Sequence, residues 1–450
     1  MSLHDLNAVG RNRRAAGMRP ARALLMVFGL YAATVGEPSA FAQAPYENEP
    51  INYSHGPVND PVARLARQVE NGDVTLNYDS TFGYLPSLLE RLGVPIASQA
   101  LVFSKTSLQI QRISPSAPRA VYFNDDVYVG FVRGGHVLEI SAADEKQGAV
   151  FYTLPQEYSP RPQLARETDK CLSCHSTNRT RDVPGHLMRS VAVDANGFPV
   201  AKWGSFNTTQ NSPLGERWGG WYVTGSHGGR THMGNSVVTA ADPRAPIHNA
   251  GDMGDTIDTS SYLAPTSDVV SLMVLAHQAH MHNLITRAGY EARMAAAYDQ
   301  SVQLGGEAGR ETETSRRRLD RAADELVRYM LFLDEAEIEN PIIGSSPFAA
   351  DFPKNGPQDR RGRSLRDLDL NRRLLKYPCS YLIYGRAFEG LPETIKSRVY
   401  RKLWEILTAQ NRDIDYAMTA RDRQNVLEIL CDTKHDLPSY WKIDPIAVAQ

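Results

Sequence analysis

Little in this chain of 450 residues favours nucleic acid or a membrane span. Its 49 lysines and arginines are balanced by 51 acidic residues, so no basic excess is present to meet a phosphate backbone. No apolar run approaches the ~20 residues that cross a bilayer. Cysteine is scarce, with four residues in all. Two of them, Cys379 and Cys431, stand alone and far from the others, which argues against a zinc site built from paired C-x-x-C motifs. These two could form a disulfide in an oxidising compartment or remain as buried thiols. No internal repeat is found.

The other two cysteines lie in Cys171-Leu172-Ser173-Cys174-His175. With four cysteines and twelve histidines, the pattern C-x-x-C-H is expected by chance only about 0.001 times in such a chain. Its spacing lets two thiols each form a thioether to one vinyl group of a haem, with the adjacent imidazole binding the iron. A thioredoxin-type dithiol would need a buried strand leading into a helix. The flanks Glu167–Lys170 and Ser176–Arg179 do not have that character.

The N-terminus agrees with that chemistry. Arg11, Arg13, Arg14, Arg19 and Arg22 precede an apolar run, Ala23–Ala33, and Ala40-Phe41-Ala42 offers a cleavage site before Gln43. Residues 1–42 therefore read as a secretory signal, with an uncleaved anchor as the alternative. Removing them leaves 44 basic and 49 acidic residues, a net charge near −5. The expectation is a periplasmic protein with no membrane span in its mature chain.

The remaining chain reads as α+β, with a β-rich half that carries the motif and a helical half packed against it. Residues 43–75, rich in Pro, Asn, Glu and Gly, read as an extended lead-in, 76–262 as the β-rich haem-binding region, and 263–450 as α-helical. Strands are expected at 100–103, 108–113, 120–123, 127–132, 137–140 and 150–154, from Val, Ile, Phe and Tyr runs bounded by turn residues. A hairpin is expected about Asn196-Gly197. Helical periodicity predicts helices at 267–300, 313–335, 365–377, 393–410 and 420–431, the first capped by Thr266 or Ser267.

A second iron ligand has several candidates. His232 and Met233 end a glycine- and aromatic-rich segment whose Trp218 and Trp221 could cover a porphyrin, while Arg217 and Arg230 could pair with its propionates. His277 and His280 share a stripe of the first long helix. His186 and Met188 follow the motif closely. An open sixth position is the remaining possibility.

Cys171, Cys174 and His175 resemble the haem-binding motif of c-type cytochromes. The rest departs from the small members of that family, and the chain looks like a larger exported bacterial protein with a single such motif. The resemblance implies one covalent haem c with His175 as proximal ligand, and redox or ligand chemistry at iron. The function expected is periplasmic electron transfer with a redox partner protein. The alternative is a haem oxidoreductase or ligand sensor with an open sixth site.

Overall fold

The computed structural model describes residues 44–229, 231–239, 257–302, 311–410 and 418–442. The segment read as an export signal (1–42) and the candidate Arg230 lie outside the described residues.

Two helices, α1 (Pro61–Asn71) and α2 (Leu85–Leu92), precede a six-stranded sheet. Its strands are β1 (Ala100–Val102), β2 (Arg119–Phe123), β3 (Val127–Phe131), β4 (Val137–Asp144), β5 (Gly148–Pro155) and β6 (Ala165–Glu167). They pair antiparallel in chain order. A one-turn helix α3 (Leu172–His175) follows, then the ribbon β7 (Arg189–Val191) and β8 (Ser205–Asn207). The second half is helical: α4 (Val269–Val302), α5 (Glu313–Met330), the short α6 (Phe348–Asp351) and α7 (Arg386–Glu389), α8 (Glu393–Leu407) and α9 (Ala420–Thr433). The architecture is thus α+β, β-rich first and helical second. Among the described residues no helix is long and apolar enough to cross a membrane.

Local chemistry explains the sheet. Asn124 Oδ1 accepts from the backbone N–H groups of Asp126 (3.1 Å) and Val127 (2.9 Å), which closes the β2–β3 turn. Gly134 takes φ +64° in the β3–β4 turn, a conformation that disfavours a side chain. Strand alternation then sends Leu101, Tyr122, Val129, Ile140 and Tyr152 to a face covered by α1 and α2. Val102, Val121, Phe123 and Tyr128 point the other way, into a core shared with α4, α5, α8 and α9. That common core packs the two halves of the chain together.

Several expectations differ from the structure. The lead-in at 43–75 contains α1: Asp60 accepts from the N–H groups of Val62 (2.9 Å) and Ala63 (3.0 Å), Pro61 sits in the first turn, and Gly72 ends the helix in a left-handed conformation. Residues 108–113 are turn and 3-10 helix, because Lys105 Nζ gathers the carbonyls of Ile110 (3.0 Å) and Ile113 (2.5 Å). Residues 365–377 are not helical. Asp369 Oδ1 accepts from the N–H groups of Asn371 (3.0 Å) and Arg372 (3.2 Å), a local bond that competes with helix formation. The hairpin about Asn196-Gly197 forms, with its ladder at β7 and β8.

α4 is capped by Asp268, not by Thr266 or Ser267. This fully buried carboxylate accepts from the N–H groups of Val270 (2.7 Å) and Ser271 (3.2 Å). Its other oxygen accepts from the N–H groups of Ser345 (2.7 Å) and Ser346 (2.7 Å) and from the Ser346 hydroxyl (2.8 Å). Asp268→Ala removes a cap worth about 1 kcal/mol and strands buried donors at about 1–3 kcal/mol. The expected loss is roughly 3 kcal/mol, read as a lower midpoint in a single denaturant transition. An unchanged midpoint would contradict this account.

Candidate functional site

The C-x-x-C-H motif forms one helical turn at the molecular surface. Cys174 is exposed, and Cys171 is half-buried against a small core of Ile51, Tyr53, Phe151, Leu172, Val183 and Tyr290. Burial, followed by the nearby Glu167 and Glu139, pushes the Cys171 thiol up to about 11. A dithiol catalyst needs the opposite shift, so the site does not suit a thioredoxin-like role.

His175 is held from two directions. Its carbonyl accepts from Gly185 N–H at 2.8 Å, and its Nδ1 lies 2.9 Å from the Gly185 carbonyl. A carbonyl can only accept, so Nδ1 carries the proton and the lone pair falls on Nε2. Burial lowers the imidazole's pKa, which favours the neutral, ligating form. The Phe151 ring packs against it with centroids 4.9 Å apart. Among the described residues Nε2 makes no hydrogen bond.

The loop from Ser176 to Pro184 returns the chain to His175. Thr177 and Thr180 form a reciprocal capping box, and the Thr180 hydroxyl also donates to the Val183 carbonyl at 2.8 Å. Arg181 and Asp182 then take positive φ. Beside Cys174 lie two guanidinium groups. Arg189 donates to Ser205 Oγ (3.2 Å), and Arg179 donates to Asn207 Oδ1 (3.2 Å) and Ser205 Oγ (3.5 Å). Arg189 Nε is buried without a partner, and neither arginine pairs with a carboxylate among the described residues. Burial lowers the Arg189 pKa, and the neighbouring Arg179 adds to the shift.

Most other candidates have partners of their own. Arg217 is buried and donates to the carbonyls of Ser212 (2.8 Å) and Gln210 (2.9 Å), bracing its own loop. Trp218 is fully buried beside His232, with ring centroids 5.2 Å apart. Trp221 comes nearer, its indole N–H donating to the Arg189 carbonyl at 2.7 Å. Met233 receives the Ser190 hydroxyl on its sulfur at 3.7 Å. Ser190 and Arg189 alternate along β7, so Met233 lies across the ribbon from the two arginines. His232 Nδ1 accepts from Gly234 N–H at 3.0 Å, which puts its proton on Nε2, a buried atom without a partner.

On α4, His277 has both nitrogens engaged: Nδ1 lies 2.5 Å from Gln210 Oε1, and Nε2 lies 2.8 Å from Ser380 Oγ. It is a satisfied core histidine. His280 sits edge-on to Tyr329, at 4.7 Å between centroids. The helix bonds the chain at His186, the residue after the Gly185 carbonyl that His175 Nδ1 faces. The His186 ring lies 4.1 Å from that of Tyr128. Cys379 and Cys431 are free thiols. Among the described residues no group of three or more His, Cys, Asp or Glu side chains is arranged to hold a metal ion.

Sequence reasoning missed Arg179 and Arg189; Arg179, four residues past the motif, offered a positional signal, whereas Arg189, fourteen residues past it, offered none. Nothing in a single sequence ties Asn283 to His186. Comparison with protein-family models, curated proteins and solved structures finds no match for this chain.

The buried histidines have a measurable consequence. Burial holds His277 down to about 3, and neighbouring histidines add to the shift. His232 is likewise held to about 3 and His282 to about 4, burial being the main cause. In the unfolded chain they protonate near the usual value of about 6.5. Between pH 6.5 and 4 the unfolded state therefore binds more protons, and stability falls as pH falls, by about 1.4 kcal/mol per pH unit for each histidine. His277→Gln should reduce that slope by one proton's worth. Unfolding free energies at a series of pH values check this, and an unaltered slope would refute it.

Proposed function

We propose that this chain is an exported, periplasmic c-type haem protein that carries one haem c on Cys171 and Cys174, with His175 as the proximal ligand. The observation that carries the reading is the state of His175. Its Nδ1–H is committed to a carbonyl, its Nε2 lone pair is left over, and two free thiols stand on the same helical turn. Bound there, haem iron would supply one-electron redox chemistry or a coordination position for a small ligand.

The chain's own groups suit such a guest. Phe151 gives the imidazole an apolar wall. Arg179 and Arg189 offer uncompensated positive charge beside Cys174, and the orphaned Arg189 Nε is a donor awaiting an acceptor, as a propionate would be. The motif's exposure favours exchange with an outside protein, so the primary function we assign is electron transfer with a redox partner.

A second reading, an oxidoreductase or ligand sensor with an open sixth site, draws on a specific observation. His277 is fully hydrogen-bonded, Met233 lies across the ribbon, His232 presents a protonated Nε2, and His280 packs edge-on to Tyr329. Arg119 and Glu139 are instead the charged neighbours of His175.

Intact mass after secretion alongside a haem c attachment system should show one haem that survives acid–acetone extraction. Cys171→Ala or Cys174→Ala should weaken its retention, and His175→Ala should destroy the native spectrum. A wild-type chain without covalent haem would sink the proposal. Carbon monoxide separates the two functions: ready binding to the ferrous protein favours the open site, whereas exclusion favours electron transfer. His277→Ala should leave the visible spectrum unchanged, and loss of a low-spin signature in that variant would overturn its exclusion as a ligand.

A further inference from the structure

The carbonyl that receives His175 Nδ1–H is itself held by a residue of the other half of the chain. Asn283, on α4, is buried with 1% exposure. Its Oδ1 accepts from His186 N–H at 2.8 Å, and its Nδ2 donates to the His186 carbonyl at 2.7 Å. The side-chain amide thus grips both peptide groups of His186. Those groups make no other hydrogen bond among the described residues.

The residue before it is glycine for a steric reason. A Cβ on Gly185 would overlap Asn283 Oδ1 and Cγ and press on Thr180 Cβ. The other side of the same stretch is pinned by Ala149 N–H, from β5, donating to the Pro184 carbonyl at 3.1 Å. The His186 side chain offers no substitute for the clamp. Its ring lies against Tyr128, and both of its nitrogens are buried without a partner.

We propose that Asn283 is a positioning residue for His175: by clamping His186 it aims the Gly185 carbonyl at Nδ1 and so presents Nε2 as the metal-binding nitrogen. For its consequence at iron this inference rests on the haem reading of the motif, but the tautomer belongs to the chain alone. A ring N–H that donates to a carbonyl makes the opposite nitrogen more basic. A more basic proximal ligand stabilises oxidised iron and lowers the potential. Releasing the carbonyl therefore raises the potential and lets the two neutral tautomers of His175 mix.

The test uses the full chain labelled with 15N at histidine and read by NMR without haem, together with the midpoint potential of the haem-loaded protein. In the wild type His175 should be almost wholly the Nδ1–H tautomer. Asn283→Ala should give a mixture and a higher potential. Asn283→Asp keeps the acceptor for His186 N–H but loses the donor to its carbonyl, so it should fold and still show both effects. Gly185→Ala disturbs the same contact from the other side and should act in the same direction. Ser271→Ala, which loses an α4 hydrogen bond to the Ser98 carbonyl (2.8 Å) far from the motif, should change neither readout.

A wild-type tautomer in both Asn283 variants overturns the inference. Should Asn283→Ala fail to accumulate, Asn283→Asp decides it. A wild-type chain with no covalent haem defeats the haem reading instead, and the tautomer result then stands by itself.

Discussion

A helix buried along most of its length has to find a partner for every polar side chain it carries, and α4 is such a helix. Four of its residues set the arrangement of their surroundings. His277 reaches Gln210 and Ser380. Gln278 donates to the Asn124 carbonyl and to the Tyr128 hydroxyl, and accepts from the Tyr381 hydroxyl. His282 bonds the Tyr128 hydroxyl, and Asn283 grips His186. The partners are spread over the sheet, the motif loop, the loop at Gln210 and the turn at Ser380 and Tyr381, so these parts are registered against one helix. An unpaired group at any of these sites would cost about 1–3 kcal/mol, which makes the arrangement specific as well as stable.

The motif sits where this framework meets solvent. Its inner side is apolar and tightly held, through Leu172, Phe151 and the His175–Gly185 pair of hydrogen bonds. Its outer side is polar and positively charged, through Arg179 and Arg189. The proposed haem, flat with an apolar body and anionic edges, would match that division. The buried histidines reinforce it: burial keeps them neutral, so the interior behind His175 carries no extra positive charge.

How much of this was legible beforehand varied with the range of the interaction involved. The sheet strands and long helices were readable because their side-chain periods are local. The five-residue motif stands out in the sequence because its pattern depends on spacing alone. α1 was hidden by the turn-forming residues around it, although Asp60, Pro61 and Gly72 are helix-boundary signals. Residues 365–377 have helical periodicity but yield to the Asp369 side chain. The surroundings of the second-ligand candidates were not legible. His232, Met233, His277 and His280 were singled out by residue type, while their actual partners, Gly234, Ser190, Gln210, Ser380 and Tyr329, are set by the tertiary fold. No periodicity marks Asn283 as the partner of a residue 97 positions away.

The unequal exposure of the two motif cysteines bears on the order in which the protein is assembled. In the folded chain Cys174 is open to solvent, whereas Cys171 is half-buried, and burial pushes its thiol up, away from the reactive thiolate. A prosthetic group arriving after folding would find one good attachment point and one poor one. Under the proposed haem attachment, two thioethers would form most readily while the stretch from Cys171 to Gly185 is still open. Attachment would then precede the closure of that loop, whose hydrogen bonds would act as a latch on the finished product.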